Sequence, residues 1–133
     1  MDFEYVKVIK SDLDDIDEAV SFILGKLSSV IRDEELMFNI RIVINEIVIN
    51  SYEHGNKCNK EKGINLKVCV NMDCIHINVK DEGDGINYIF NENKDINTTT
   101  SGRGLRIVKH LVDELEINNN EISAKIKCEG NDV

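Results

Sequence analysis

The 133-residue chain contains no proline and no tryptophan, and aromatic residues make up 5% of it. The missing prolines exclude Pro-rich linkers and recognition segments. No apolar run approaches the roughly 18 residues of a membrane span. Basic residues are outnumbered: 16 Lys and Arg stand against 25 Asp and Glu, a net charge of −9. That balance argues against a general nucleic-acid binder, which needs a basic footprint, and against attachment to an anionic membrane. The start, Met1-Asp2-Phe3-Glu4-Tyr5, is acidic and alternating, unlike a signal peptide. None of the four cysteines (Cys58, Cys69, Cys74, Cys128) forms a C-x-x-C pair. They read as reduced thiols of a cytoplasmic protein.

What is present is enough for one domain over 1–133. The hydrophobic fraction is 41%, and a chain of this size buries about two-thirds of its unfolded surface. Residues 3–9 read as a strand. Ser11 or Asp12 caps a helix to about Ser28, with Leu13, Ile16, Val20, Ile23, Leu24 and Leu27 at helical spacing. A second helix runs from near Asp33 to His54 and ends on Gly55 as a C-cap glycine. Its apolar residues go almost all round, so it should be covered on more than one side. Residues 63–72 and 74–80 alternate as a hairpin around Met72-Asp73. The segment 91–101 is rich in Asn and Thr without apolar periodicity, the pattern of a mobile lid. Gly102-Arg103-Gly104 opens a third helix, and strands at about 115–118 and 121–127 flank Asn118-Asn119-Asn120. This order predicts an α/β fold: a two-layer sandwich, its sheet mixed but mostly antiparallel, with helices on one face.

Three clusters carry chemistry. Glu46, Asn50 and His54 are spaced by four and stack along one stripe of the second helix. A carboxylate and an amide on a largely buried helix need partners. Magnesium with phosphate is one solution, since it takes oxygen ligands and water. A solvent-facing polar stripe is the other. Asp81-x-Gly83-x-Gly85 follows a strand; its glycines admit a ligand close to the backbone, and Asp81 can accept a hydrogen bond from an exocyclic amine. An ordinary acidic turn has the same composition. Gly102-x-Gly104 at a helix start offers backbone N–H groups to an anion, with Arg103 and Arg106 adding positive charge. The glycine spacing is neither that of a Walker loop nor that of a dinucleotide fold. Cys69, Cys74 and His76 share a strand face, but their spacing is wrong for a zinc knuckle.

Taken in order, a Glu-x-x-x-Asn helix, Asp-x-Gly-x-Gly after a hairpin, a polar lid and Gly-x-Gly opening a helix resemble the GHKL (Bergerat-fold, histidine kinase-like) ATPase superfamily. The stretches Asn45-Glu46-Ile47-Val48-Ile49-Asn50-Ser51-Tyr52-Glu53-His54-Gly55 and Gly102-Arg103-Gly104-Leu105-Arg106-Ile107-Val108 look like those of bacterial anti-sigma-factor serine/threonine kinases. The resemblance implies ATP and Mg2+ as cofactors. It makes Glu46 the general base and Asn50 the magnesium ligand. Nucleotide contacts would come from Asn50, His54, Asp81, Gly83, Gly85, Ile86, Gly102, Arg103, Gly104 and Leu105, with Asp81 on the adenine amine. The implied partners are a sigma factor and an anti-anti-sigma (STAS) protein phosphorylated on serine or threonine, and a homodimer is compatible with the family. The alternative is a non-catalytic or weakly catalytic ATP-binding module that sequesters a partner. Glu46 separates the two, since a module has no need of it. The chain departs from the family in three places. Its lid has no proline, Thr100 stands where some members carry arginine, and Asn119, Asn120 and Glu121 replace the usual Gly-Thr of the last hairpin. Ser123 is the nearby hydroxyl there. The polar row Lys67, Cys69, His76 and Asn78 is a candidate contact face of the sheet.

Overall fold

The structure, a computed structural model, describes residues 3–83 and 100–128, with the backbone alone for 100–103. The elements are β1 (Phe3–Lys10), α1 (Leu13–Val30), α2 (Glu34–Asn50), a π-helical turn (Ser51–Gly55), β2 (Gly63–Val70), β3 (Cys74–Lys80), α3 (Thr100–Leu111), β4 (Glu114–Asn118) and β5 (Glu121–Lys127). Among the described residues, five strands form one sheet in the order β1-β2-β3-β5-β4. Each of its four junctions is antiparallel. The predicted order of elements and the α/β sandwich are therefore found, but the predicted mixture of strand directions is corrected. Among the described residues the sheet is wholly antiparallel, because its neighbours are joined as hairpins or by helices that return the chain in the opposite sense.

Local chemistry explains the boundaries. Asp12 caps α1 by accepting from the Asp14 N–H, so of the two predicted caps it is Asp12 that acts. Asp33 caps α2, accepting from Glu35 and Leu36. Acidic residues in both first turns complement the helix dipole. Asn71 closes the β2–β3 turn, its Oδ1 accepting from the Asp73 and Cys74 N–H groups at 2.8 and 2.9 Å. In the last hairpin Asn119 takes φ 57°, a left-handed conformation that asparagine tolerates.

Strand alternation then decides what is buried. Ile64, Leu66, Val68 and Val70 of β2 and Ile75, Ile77 and Val79 of β3 are at most 1% exposed and face the helices. Against them lie Ile40, Val43, Ile44, Ile47 and Val48 of α2, all fully buried. Helix α2 packs on α1, on α3 and on β3, which is the multi-sided cover its composition demanded. Each such isoleucine or valine contributes about 1.5–3 kcal/mol on burial. Among the described residues no helix is long and apolar enough to cross a membrane.

The predicted α-helix to His54 is corrected. Regular α-geometry stops at Asn50, and 51–55 form a π turn in which the Asn56 N–H reaches the Ser51 carbonyl at 2.8 Å. Gly55 is also not a left-handed cap; positive φ falls further on, at Lys57 (52°) and Cys58 (60°).

The π turn delivers Asn56 into the interior, where it is fully buried. Its Nδ2 donates to Ser11 Oγ at 2.7 Å and to the Gly63 carbonyl at 2.9 Å, and its Oδ1 accepts from the Glu82 N–H at 2.8 Å. One amide thus ties the end of β1, the start of β2 and the loop after β3. Asn56→Ala strands the Ser11 hydroxyl in a buried place and the Gly63 carbonyl and Glu82 N–H in partly buried ones. A loss of about 2–4 kcal/mol in denaturant unfolding is expected.

Candidate functional site

The site lies where α2, the π turn, the loop after β3 and the first turns of α3 converge. Glu46 is half-buried on α2, and Asn50 is buried at its C-terminal end. Helix α3 packs on α2 at Gly104. A Cβ placed on Gly104 would run into Glu46 Oε2, with Glu46 Cδ at 3.5 Å. The glycine is therefore what allows the carboxylate to lie against the N-terminal part of α3, where N–H groups concentrate positive potential. Leu105, 2% exposed, anchors that turn of α3 in the core.

Two glycines enclose the second carboxylate. A Cβ on Gly55 would overlap the Asp81 carboxylate, and a Cβ on Gly83 would overlap the Gly55 carbonyl. Three segments meet there with no room for a methyl group. Asp81 Oδ1 accepts the Gly83 N–H at 2.8 Å. Asn120 holds the Asp81 backbone from both sides: its carbonyl accepts the Asp81 N–H at 2.9 Å, and its Nδ2 donates to the Asp81 carbonyl at 2.6 Å. Asp81 is 5% exposed. Burial pushes its carboxyl above the usual aspartate value, opposed by the Gly83 hydrogen bond and the Lys62 charge. A carboxylate in such a place can accept a further hydrogen bond from an N–H donor, which lessens the cost of its burial.

The structure brings Glu46 against Gly104, and Asp81 against Gly55 and Gly83. His54 lies inside the π turn; its Nε2 is buried without a hydrogen-bond partner among the described residues and is 3.8 Å from Glu53 Oε2. Gly102 and Arg103 belong to the first turn of α3. Gly85, Ile86 and the predicted lid up to residue 99 lie outside the described residues. Ser123 turns away from the helices: its Oγ is 2.5 Å from His76 Nε2, on the opposite face of the sheet. Lys67, Cys69, His76 and Asn78 do share that open face, by cross-strand register.

Sequence reasoning missed Asn56, Asn120 and Ser51. Nothing in their local pattern distinguishes them from turn residues, since their partners are remote in sequence. Ser51 is fully buried, and its Oγ has no hydrogen-bond partner among the described residues, a cost a bound ligand or water would relieve. The zinc arrangement is not formed. Cys69 Sγ turns to Glu4 at 3.6 Å while His76 turns to Ser123, and no group of three His, Cys, Asp or Glu among the described residues is placed to hold a metal.

Comparison with known proteins gives the family. The family model described as "Histidine kinase-like ATPase domain" matches residues 9–127, and the chain belongs to that family. Its relatives include the anti-sigma F factors of Bacillus thuringiensis (strain Al Hakam) and Bacillus mycoides (strain KBAB4), each 29% identical over 92 residues. That of Bacillus cytotoxicus is 30% identical over the same length. In each case the match covers 65% of this chain and 63% of the relative.

Two outcomes follow for single substitutions. Asp81 is held above its ordinary value of 3.8 in the folded state. Its contribution to stability is therefore complete below that ordinary value and is lost as pH rises through the folded value. Without ligand, Asp81→Asn should melt higher than the parent at about pH 7, with the gap closing towards about pH 4, by calorimetry at both pH values. Gly104→Ala meets only the far end of a flexible glutamate. It should change unfolding free energy by less than about 1 kcal/mol while displacing the Glu46 carboxylate. Denaturant titration checks the first part, and a crystal structure of the variant the second.

Proposed function

We propose that the chain is an ATP-dependent serine/threonine protein kinase of the anti-sigma type. It would bind a sigma factor and phosphorylate a small STAS-type antagonist of that sequestration. The observation that carries the reading is the pair of carboxylates at opposite ends of one site: buried Asp81 over two glycines, and Glu46 against the start of α3. The family and the anti-sigma F factor relatives support it.

In this reading Asp81 accepts the exocyclic amine of adenine, and the methyl-free surfaces of Gly55 and Gly83 let the loop close around its carboxylate. The unpartnered Ser51 hydroxyl is an observation that fits a bound polar ligand. Asn50 would hold magnesium through its amide oxygen; that ion keeps most of its ligands as water and phosphate, so one protein oxygen suffices. ATP with magnesium supplies the transferable phosphoryl group and neutralises its charge. The backbone N–H groups at the start of α3 face the same anionic end. Glu46 takes the proton of the antagonist's hydroxyl, and its position against Gly104 orients it for that role. A chain with net charge −9 repels a polyanion, so these local donors and the cation must overcome an unfavourable field.

The test is phosphoryl transfer from labelled ATP to an antagonist domain, read as phosphoserine or phosphothreonine. Glu46→Ala should keep ATP affinity within about threefold and lower transfer by at least about 100-fold, the range of general-base catalysis. Unchanged transfer removes Glu46 as the base, and absence of ATP binding by the parent chain in calorimetry removes the whole reading.

A further inference from the structure

The hairpin of β4 and β5 turns on two residues, Asn119 and Asn120, between the paired Asn118 and Glu121. Asn119 supplies the left-handed φ that a turn this tight uses. The turn reaches the end of β3 because β3 and β5 are neighbours, with Lys80 opposite Glu121. One step further in the same register, Asp81 meets Asn120. The Asp81 N–H donates to the Asn120 carbonyl at 2.9 Å, as in a strand pair. The return bond is made by the Asn120 side chain, whose Nδ2 donates to the Asp81 carbonyl at 2.6 Å. One residue of a distant hairpin therefore holds both backbone groups of Asp81.

What is held is a direction. The Cα–Cβ bond follows the backbone, so fixing the N–H and the C=O of Asp81 aims its carboxylate. Burial favours the opposite, since a buried carboxylate gains by swinging out to water. Its Oδ1 accepts the Gly83 N–H at 2.8 Å, and Gly55 and Gly83 leave no slack around it. A carboxylate fixed in this way accepts from an amine and repels a carbonyl oxygen at the same point. One that is free to move tolerates either.

We infer that Asn120 is a positioning residue for nucleobase selection: by holding both backbone groups of Asp81, it makes the site take a purine bearing an exocyclic amine and reject one bearing a carbonyl oxygen in its place. The inference rests on the ATP-binding reading above and adds the residue that sets its selectivity.

Asparagine suits this task. Its amide offers donors, whereas aspartate of the same shape offers only acceptors and sets an oxygen against the Asp81 carbonyl. Alanine leaves that carbonyl, in a partly buried place, without its donor. Either substitution keeps the bond from the Asp81 N–H, which uses the Asn120 backbone. The loss is thus confined to the second of the two bonds.

The test is calorimetric titration of the whole chain with magnesium and either ATP or inosine triphosphate, which carries a carbonyl oxygen where adenine has its amine. The parent should bind ATP at least about 30-fold more tightly than the inosine nucleotide. Asn120→Ala should lose about tenfold in affinity for ATP and less than about threefold for inosine triphosphate, so the ratio falls by about threefold or more. Asn120→Asp adds a charge that weakens both nucleotides alike, and should lower the ratio by the same factor. A merely structural role weakens both and leaves the ratio unmoved. In an Asp81→Ala background the selecting carboxylate is gone, and Asn120→Ala should no longer change the ratio. Circular dichroism melts report folding, and the isosteric Asn120→Asp carries the test should Asn120→Ala fail to fold. A parent that binds neither nucleotide overturns the ATP-binding reading and this inference with it. A parent that prefers ATP, with Asn120 variants that keep the full preference, overturns this inference alone. So does a parent that binds both nucleotides equally, or a ratio that still falls on Asn120→Ala when residue 81 has no carboxylate.

Discussion

A buried carboxylate with no room around it organises this molecule. Asp81 lies over Gly55, Gly83 lies against the Gly55 carbonyl, and both contacts require a missing side chain. Moving Asp81 out would relieve its desolvation, so something must hold it in. Asn120 clamps its backbone, Gly83 donates to its side chain, and Asn56 fixes the following residue, Glu82. Asn56 in turn reaches its place because the helix before it widens into a π turn. Strand ends, helix end and loop are thereby joined through a handful of polar contacts buried beside an apolar core. A strained or costly arrangement of this sort persists where the surroundings over-determine it.

The other end of the site obeys the same logic with a different element. Glu46 sits on α2 beside residues of the core, and only a glycine on α3 leaves space for its carboxylate. The apolar contacts of Ile44, Ile47 and Val48 hold α2 rigidly on the sheet, while Leu105 and Val108 do the same for α3. Rigid burial on one side of each helix positions polar groups on the other. The sheet contributes differently: its inward face supplies the core, and its outward face carries the polar row of Lys67, Cys69, His76 and Asn78.

Much of this was legible in the chain. Period-two alternation in β2 and β3, helical stripes in α1 and α3, and the Asp12 and Asp33 caps are local features that give the elements within a few residues. Glu46, Asn50, Asp81 and Gly83 announced themselves by residue type and spacing. The π turn was not legible, because Ser51 to Gly55 continue a helical pattern and the change of hydrogen bonding from four residues to five leaves no local mark. The purpose of Gly55 was misread for a related reason: a glycine after a helix has the same letter whether it caps by positive φ or yields space to Asp81.

By itself the sequence determined the order of elements, which faces are apolar, and the excess of acid. Those properties depend on neighbours along the chain. Tertiary structure alone decided that Asp81 rests on Gly55, that Asn56 joins Ser11, Gly63 and Glu82, that Gly104 faces Glu46, and that Ser123 turns to His76 and away from the helices. These pairs are separated by up to 58 residues, as for Glu46 and Gly104. Their meeting is fixed by how helices pack on a sheet, which no local spacing encodes.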